Sequence, residues 1–342
     1  MAVLKYNNAE FNAFPPIIRE YATYQIAVKG NSEKTICEYM LDLRTFFRYY
    51  SCKKNGESIP DKDEFENISI THITLEDVAS VTQTVIHEFL AYMTTAWKSS
   101  PTTRMRKLSS LRSFYKYLYS RKHYIDANPA DDIDSPKKAK TLPKYMTYEE
   151  SLKLLETIRN DIESPTNVRD YAIVVLFLNT GMRLSELVGL DLKSFSSDLS
   201  KVVVLGKGNK QRQIYLNEFS KKAVAEYLKI RLDPKYIATS DKAFFLSSRE
   251  KRISGKTVQW MVNKYFDMSG FGFKGLSVHK LRHTAATLMY QSGKVDIRIL
   301  KDVLGHEQLN TTQIYTHVVD RNLKDAIDSN PLANVNLKRP KN

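Results

Sequence analysis

The chain has 342 residues, of which 42% are hydrophobic, and its 52 lysines and arginines against 38 aspartates and glutamates give a formal net charge of +14. This length favours two domains, and a globular protein this basic usually meets a polyanion, most often nucleic acid. The start lacks the form of a signal peptide, the longest strongly apolar run (172–178) is too short to span a bilayer, and two cysteines are too few for a disulfide framework. We therefore expect a soluble, cytoplasmic protein.

Helical periodicity covers the first third of the chain. A capping serine at position 32 precedes a helix in which apolar residues recur on one face. That face carries Ile36, Met40, Leu43, Phe47 and Tyr50. The same pattern recurs over 82–97, and Pro101 opens a third helical segment. The first domain is therefore predicted to be a helical bundle.

The third helical segment, 101–123, is strongly basic. Its apolar stripe is accompanied by seven cations, and no acidic residue occurs before Asp126. Although a basic helix face is often only solvated, seven cations without a carboxylate among them favour contact with phosphates. We expect five of them to bind nucleic acid: Arg104, Arg106, Lys107, Arg112 and Lys116.

A linker follows the helical part. Residues 126–147 contain three prolines, an acidic patch, a basic patch and no apolar periodicity, which is typical of an interdomain connection. Its lysines, Lys137, Lys138 and Lys140, could lie along a nucleic-acid backbone, although linkers are often charged for solubility alone. The predicted division is a helical domain over 1–128, a linker over 129–146, a second domain over 147–330 and a short tail over 331–342.

The second part of the chain mixes helices with a small sheet. Thr147 and Glu150 form a predicted capping box, and an apolar helix ends at Gly181. Alternating residues over 201–216 predict two antiparallel strands joined by the tight turn GKGNK. Further helices are predicted near 217–231, 256–268, 279–291, 295–304, 311–317 and 320–329. The fold class is therefore mainly α, with two domains and a small antiparallel sheet.

Several residues of this second part suit phosphate chemistry. His279 and Arg282 are three apart on one helix and so share a face, while His306 follows a glycine at a helix end and Tyr315 lies nine residues later. Two histidines without a nearby acidic partner are a poor metal site, so no metal is predicted. Arginine forks, in contrast, bind phosphoryl oxygens in pairs and keep their charge.

Each of these residues also has an ordinary explanation. Arg183 with Glu186 would usually be a surface ion pair worth about 0.2–0.5 kcal/mol. A single tyrosine such as Tyr315 is more often a packing residue, and a lysine in a hairpin turn, such as Lys207, is ordinarily solvated. Taken one at a time, these residues do not indicate a function.

Their order along the chain carries a resemblance. The stretches TGMRLSELVGL, LGKGNKQRQIYL, HKLRHTAATLM and LGHEQLNTTQIYTH resemble the motifs of the tyrosine recombinases, and of the Xer type in particular. The linker and the basic helical first domain resemble that family too. The resemblance implies a helical, SAM-like core-binding domain followed by a mixed, mostly helical catalytic domain. The segment 53–80 is longer than expected for the shortest Xer enzymes and is expected to be a variable loop.

The resemblance also implies a chemistry. Tyr315 would attack a DNA phosphodiester and form a 3′-phosphotyrosine, and recombination would pass through a Holliday junction without metal or cofactor. The other implied roles are phosphate stabilisation by Arg183 and Arg282, a hydrogen bond from His306, proton acceptance by His279, general-acid catalysis by Lys207 and support from Glu186. The implied partners are double-stranded DNA with a specific site and three further protomers, identical or from a related recombinase.

Two other functions remain open from the sequence. A type IB topoisomerase would use similar chemistry to relax supercoils, and a non-catalytic DNA-binding regulator could keep the same fold. Among recombinases, the short stretch before the first helix favours action on short core sites, in dimer resolution, inversion or the integration of a mobile element. The sequence does not choose among these three roles.

Overall fold

The computed structural model describes residues 8–136, 144–206, 210–233, 242–293 and 295–305. The chain divides into two compact units, Met1–Lys140 and Thr141–Asn342. Both described parts are mostly helical, and within them the strands form one two-stranded antiparallel sheet. The predicted fold class is confirmed. No helix of the described ranges is long and apolar enough to cross a membrane.

The first unit is built from helices. Side-chain caps start most of them, as where Ser32 accepts a hydrogen bond from the backbone N–H of Thr35. The helices are α1 (Asn8–Asn12), α2 (Pro16–Ala27), α3 (Glu33–Lys54), α4 (Lys62–Asn67), α5 (Leu75–Ala79), α6 (Gln83–Thr95) and α7 (Pro101–Tyr117). A π-helical turn, Leu118–Lys122, ends α7.

Aromatic side chains fill the core of the first unit. Phe46 of α3 meets Phe89 of α6 edge to face, with ring centroids 5.2 Å apart. Phe47 meets Phe114 of α7 in the same way at 6.0 Å. Such pairs stabilise a core beyond the area they bury, so they hold α3 against both α6 and α7. Phe47 belongs to the predicted apolar face of α3, whereas Phe46 was not part of that prediction.

The segment 53–80 is folded rather than loose. It contains α4 and α5 and buries Phe65, Ile70, Ile73 and Val78 in the core of the unit. Arg48 of α3 donates to the carbonyl of Ile68 at 2.9 Å, and further hydrogen bonds join α3 to the far end of the segment. The expectation of a loop was wrong, because the segment contains two helices and supplies apolar side chains to the core.

The second unit surrounds one buried helix. Its helices are α8 (Tyr148–Asn160), α9 (Asn167–Thr180), α10 (Leu184–Val188), α11 (Glu218–Arg231), α12 (Gly255–Met268), α13 (Val278–Gln291) and α14 (Ile297–Leu304). Residues 172–178 of α9 are all buried, with α8, α11 and α13 packed around them. The capping box of Thr147 and Glu150 is present at the start of α8. Two further predicted helices, 311–317 and 320–329, lie outside the described residues.

The predicted hairpin is present. Strand β1 (Lys201–Leu205) pairs with β2 (Gln211–Tyr215), so that Val204 lies opposite Arg212. The buried face carries Val202, Val204 and Ile214, and the N–H of Gly206 donates to the carbonyl of Lys210 at 2.8 Å where the turn opens and closes.

Candidate active site

Arg183 lies at a sharp junction between two helices. Helix α9 ends at Gly181, whose φ of +60° is a conformation that favours glycine. Arg183 is then the residue before α10, and its backbone N–H donates to the Glu186 carboxylate at 2.7 Å. The guanidinium bonds the same carboxylate at 2.9 Å and donates to the carbonyl of Gly305 at 2.8 Å. Arg183 is thus fixed at its base and at its tip.

Arg282 of α13 is buried and joins the end of α9 to the end of α14. Its Nη1 donates to the carbonyl of Gly181 and its Nη2 to that of Leu304, each at 2.7 Å. A side chain at position 181 would displace Leu304, because a Cβ there would lie 2.7 Å from Leu304 Cδ2. The end of α9 and the end of α14 are therefore held against one another around Arg282.

The two arginines converge at the C-terminal end of α14. They donate to the carbonyls of consecutive residues, Leu304 and Gly305, which are helix-end acceptors with no partner inside the helix. Positive charge is favourable at this end of a helix. The structure therefore brings together the two arginines that the sequence predicts to bind one phosphate, although 99 residues separate them (282 − 183).

His279 lies one turn before Arg282 on α13. The residue is exposed overall, but its ring meets the ring of His283 edge to face, with centroids 4.7 Å apart. Partial desolvation by neighbouring groups, and then the positive charges of Arg282, Lys280 and Arg183, lower the pKa of His279 from its ordinary 6.5. His279 is therefore neutral at pH 7 and able to accept a proton.

Glu186 is a buried hub. Its carboxylate, fully enclosed, is shared by Arg183 and Arg212. Burial would raise the pKa of this carboxyl, but hydrogen bonds from Arg212 and from Arg183 outweigh burial and hold the pKa below its ordinary value. The ordinary explanation of Arg183 and Glu186 as a surface ion pair is wrong, because the acid of the pair has no exposed surface.

Arg212 was missed in the sequence analysis. It lies on β2 opposite Val204, on the face of the hairpin that also buries Ile214. The period-2 alternation of the strand already places this cation on the inward face. A charge directed inward needs a partner, and that requirement was the signal that could have identified it.

Three predicted site residues lie outside the described residues, namely Lys207, His306 and Tyr315. Their chain neighbours are described. Gly206, which precedes Lys207, lies beside the hub, since a Cβ on it would be 3.7 Å from Glu186 Oε1. Gly305 precedes His306 and receives the hydrogen bond from Arg183. The described residues that adjoin Lys207 and His306 in the sequence are thus two glycines, of which Gly206 lies near Glu186 and Gly305 bonds Arg183.

The cations predicted to bind nucleic acid differ in what they contact. Lys107 is buried and donates to Asp42 at 3.1 Å, and Arg106 bonds the same carboxylate. Arg112 donates to backbone carbonyls of the 130–133 segment, and Arg104 donates to the hydroxyl of Thr94. Lys116 is exposed. The linker lysines Lys137, Lys138 and Lys140 lie outside the described residues.

Comparison with known proteins identifies the family. The model of the phage integrase family matches residues 144–322, and that of the N-terminal SAM-like domain of phage integrases matches residues 18–122. The protein named Tyrosine recombinase XerC of Caldanaerobacter subterraneus subsp. tengcongensis is 47% identical over 320 residues, which cover 94% of this chain and 88% of that protein. The chain belongs to the phage integrase family.

More distant relatives agree with this identification. The Tyrosine recombinase XerC of Thermodesulfovibrio yellowstonii is 35% identical over 89% of this chain and 93% of its own length. The solved structure of the XerH site-specific recombinase bound to difH substrate, a pre-cleavage complex, is 25% identical with a TM-score of 0.62, covering 88% of this chain and 81% of that one. A lambda integrase tetramer bound to a Holliday junction shares the fold, with 17% identity, a TM-score of 0.62 and coverage of 87% and 76%.

The resemblance drawn from the motifs is confirmed. This member of the phage integrase family is a site-specific tyrosine recombinase of the Xer type. The topoisomerase and the non-catalytic regulator are not favoured.

Proposed function

We propose that this recombinase cuts DNA through Tyr315, which forms a covalent 3′-phosphotyrosine, and exchanges strands between two sites through a Holliday junction. The observation that carries the proposal is the meeting of Arg183 and Arg282 at the end of α14, with His279 one turn from Arg282 on α13. The solved relatives support the substrate class, since the XerH structure contains difH DNA and the lambda integrase structure contains a Holliday junction.

The two arginines bind the scissile phosphate in this proposal. As the phenolic oxygen adds to phosphorus, negative charge grows on the non-bridging oxygens. Planar guanidinium forks from Arg183 and Arg282 stabilise that charge, and His306 adds one hydrogen bond. Loss of one such preorganised donor costs about 2.7–4 kcal/mol in the activation barrier. Glu186 supports the site by holding Arg183 in place.

Two proton transfers accompany the exchange. A phenol with a pKa near 10 is a weak nucleophile at neutral pH, and neutral His279 accepts its proton. Lys207 donates a proton to the departing 5′-oxygen, so the bond to that oxygen breaks as the bond to Tyr315 forms. The phosphotyrosyl ester keeps the energy of the original ester, and a 5′-hydroxyl from another strand reverses the step without metal or cofactor.

The assembly follows from the reaction. Four strands must be cut and rejoined, so four protomers act on two specific double-stranded sites, as a homotetramer or together with a related recombinase. We assign DNA core binding to residues 1–128, with contacts from Arg104, Arg106, Arg112, Lys116 and the linker lysines. Residues 147–330 carry the catalysis, and the place of action is the nucleoid in the bacterial cytoplasm.

Cleavage of a nicked suicide substrate tests the assignment of the nucleophile. The Tyr315→Phe variant should form no covalent adduct and should bind the same DNA as well as the unsubstituted protein, because phosphate contacts dominate affinity. Tyr215→Phe is the matched control, since Tyr215 is an exposed tyrosine of the same unit, and its adduct should form normally. An adduct formed by Tyr315→Phe would contradict the proposal.

A further inference from the structure

We infer that Arg212 is a positioning residue of the recombination reaction, which acts by fixing Gly305 and thereby the place of His306. The inference rests on the proposed function, because it assigns a role to Arg212 through a residue of that site. Arg212 itself is not proposed to touch DNA. Its contacts are with Glu186 and with the backbone at the end of α14.

Gly305 is contacted from two sides. On one side Arg183 donates to its carbonyl at 2.8 Å. On the other side the guanidinium of Arg212 lies against its α-carbon, so closely that a Cβ would be 2.9 Å from Arg212 Nη1 and 3.0 Å from Cζ. The φ of Gly305 is +64°, which also favours glycine. Arg212 therefore lies against one side of the turn at Gly305.

The carboxylate of Glu186 joins Arg212 to Arg183. Arg212 bonds both oxygens of Glu186, with Nη2 2.9 Å from Oε2, and Arg183 bonds Oε1 at 2.9 Å. The side chain of Glu186 is fully buried and that of Arg212 is only 17% exposed. A charge-assisted fork of this kind fixes the direction of the Arg212 guanidinium as well as its distance from Glu186.

Loss of Arg212 would change the surroundings of Gly305. The carboxylate of Glu186 would still bond Arg183, but Gly305 would lose its contact with Arg212, and we expect the next residue, His306, to shift. Misplacement of a reacting group by about 1 Å can cost on the order of 100-fold in rate. The loss should therefore appear in the cleavage step, and it should depend on whether His306 is present to be misplaced.

A double-mutant cycle tests this dependence. We measure single-turnover cleavage of the nicked substrate by Arg212→Gln, His306→Ala and the combined variant. Arg212→Gln alone should slow cleavage by roughly 10- to 100-fold with unchanged DNA affinity. In the His306→Ala background the same substitution should slow cleavage by less than about threefold, because residues that act as a unit are not additive. In a Lys207→Ala background its full effect should remain.

Three further variants sharpen the cycle. Arg212→Lys should not restore the rate, because an ammonium cannot bond both carboxylate oxygens. Gly305→Ala should reproduce the same dependence on His306, and it replaces Arg212→Gln in the cycle if that variant does not fold. Arg252→Gln is the matched control, since Arg252 also bonds a carboxylate and two backbone carbonyls in this unit, and any effect it has should be independent of His306.

The outcomes separate the inference from the proposal beneath it. If Arg212→Gln cleaves at the normal rate, or slows the His306→Ala variant as much as it slows the unsubstituted protein, the inference is overturned and the proposed chemistry stands. If the unsubstituted protein forms no adduct through Tyr315, the proposed chemistry fails first.

Discussion

At the scale of single residues, the surroundings of His279 favour its neutral form. Partial desolvation, Arg282, Lys280 and Arg183 all disfavour its charged form and lower its pKa below 6.5, and the ring of His283 lies against it. A lowered pKa keeps the imidazole neutral over a wider range on the acid side. If His279 accepts the proton of the nucleophile, the cleavage rate should fall only when the pH drops below 6.5.

A substitution at Lys280 tests this pH dependence. Lys280→Gln removes one positive charge near His279, so the imidazolium becomes less unfavourable and the pKa of His279 rises. The acid limb of the single-turnover cleavage rate should then move to higher pH, and the shift should be larger at low ionic strength because salt screens exposed charges. Lys264→Gln is the control, because it also removes a lysine charge from this unit, but one that is paired with Asp161. An unmoved acid limb, or one that moves to lower pH, would exclude this role for His279.

Only part of the site could be predicted from the sequence. His279 and Arg282 share a face because helical spacing places residues i and i+3 together. The contact of Arg183 with Gly305, in contrast, joins residues 122 apart, and no local pattern encodes it. The buried state of Glu186 depends on Arg212, which arrives from another element, and so the pair could be predicted only as a surface ion pair.

At the scale of elements, helix α7 carries cations in two kinds of surroundings. Its apolar periodicity predicted the helix correctly, but the cations were predicted as one group. Lys107 points into the first unit, where it bonds Asp42, and Lys116 is exposed. Burial lowers the pKa of Lys107, and the nearby Asp42 carboxylate acts against that change. The helices of the segment 53–80 were not predicted, because its few apolar residues follow no single helical or strand period.

Paired substitutions on α7 separate structure from DNA contact. Lys107→Met removes a charged hydrogen bond from Asp42 and should lower the free energy of unfolding by about 1–3 kcal/mol. Lys116→Met should change stability by less than about 0.5 kcal/mol, but it should reduce the slope of log K against log salt by about 1. The stability of the first unit is measured by urea unfolding. The chain has two tryptophans, so a Trp260→Phe background leaves Trp97 as the reporter of the first unit.

The reverse pattern would contradict this division of roles. If Lys107→Met flattens the salt dependence as Lys116→Met does and leaves the unfolding curve unchanged, Lys107 binds DNA and its bond to Asp42 contributes little. The sequence-based prediction that Lys107 contacts DNA would then hold.

At the scale of the whole molecule, the chain is built from two units with separate cores. The larger hydrophobic clusters of the two units share no residue, and the family models match one region in each. These separate cores are the physical basis of the two domains that the chain length led us to expect. The predicted boundaries, with the linker at 129–146 and the tail at 331–342, stay predictions.

We expect the C-terminal tail, with Asn330 before it (residues 330–342), to take part in assembly. Recombination needs four cuts but only two at a time, so protomers must influence one another. In the family that the sequence resembles, the extreme C-terminal segment commonly docks on a neighbouring protomer. Residues 330–342 begin with Asn330-Pro331, a pair that disfavours continuation of a helix, and their larger apolar side chains are Leu332, Val335 and Leu337. A segment that docks in trans, closely linked to Tyr315 in the chain, would couple the positions of two nucleophiles.

Deleting residues 330–342 should therefore leave binding to a single site intact, reduce tetramer formation on two sites and change the balance of cleavage between the two strands. Gel-shift and strand-specific cleavage assays measure the three effects. A full-length variant with Lys338, Arg339 and Lys341 changed to Gln is the matched control, because it keeps the apolar residues that would dock and removes the charges that would attract DNA. It should assemble normally. If it fails as the deletion does, the tail acts through DNA; if the deleted protein recombines two sites as well as the full chain, the tail has no part in the assembly.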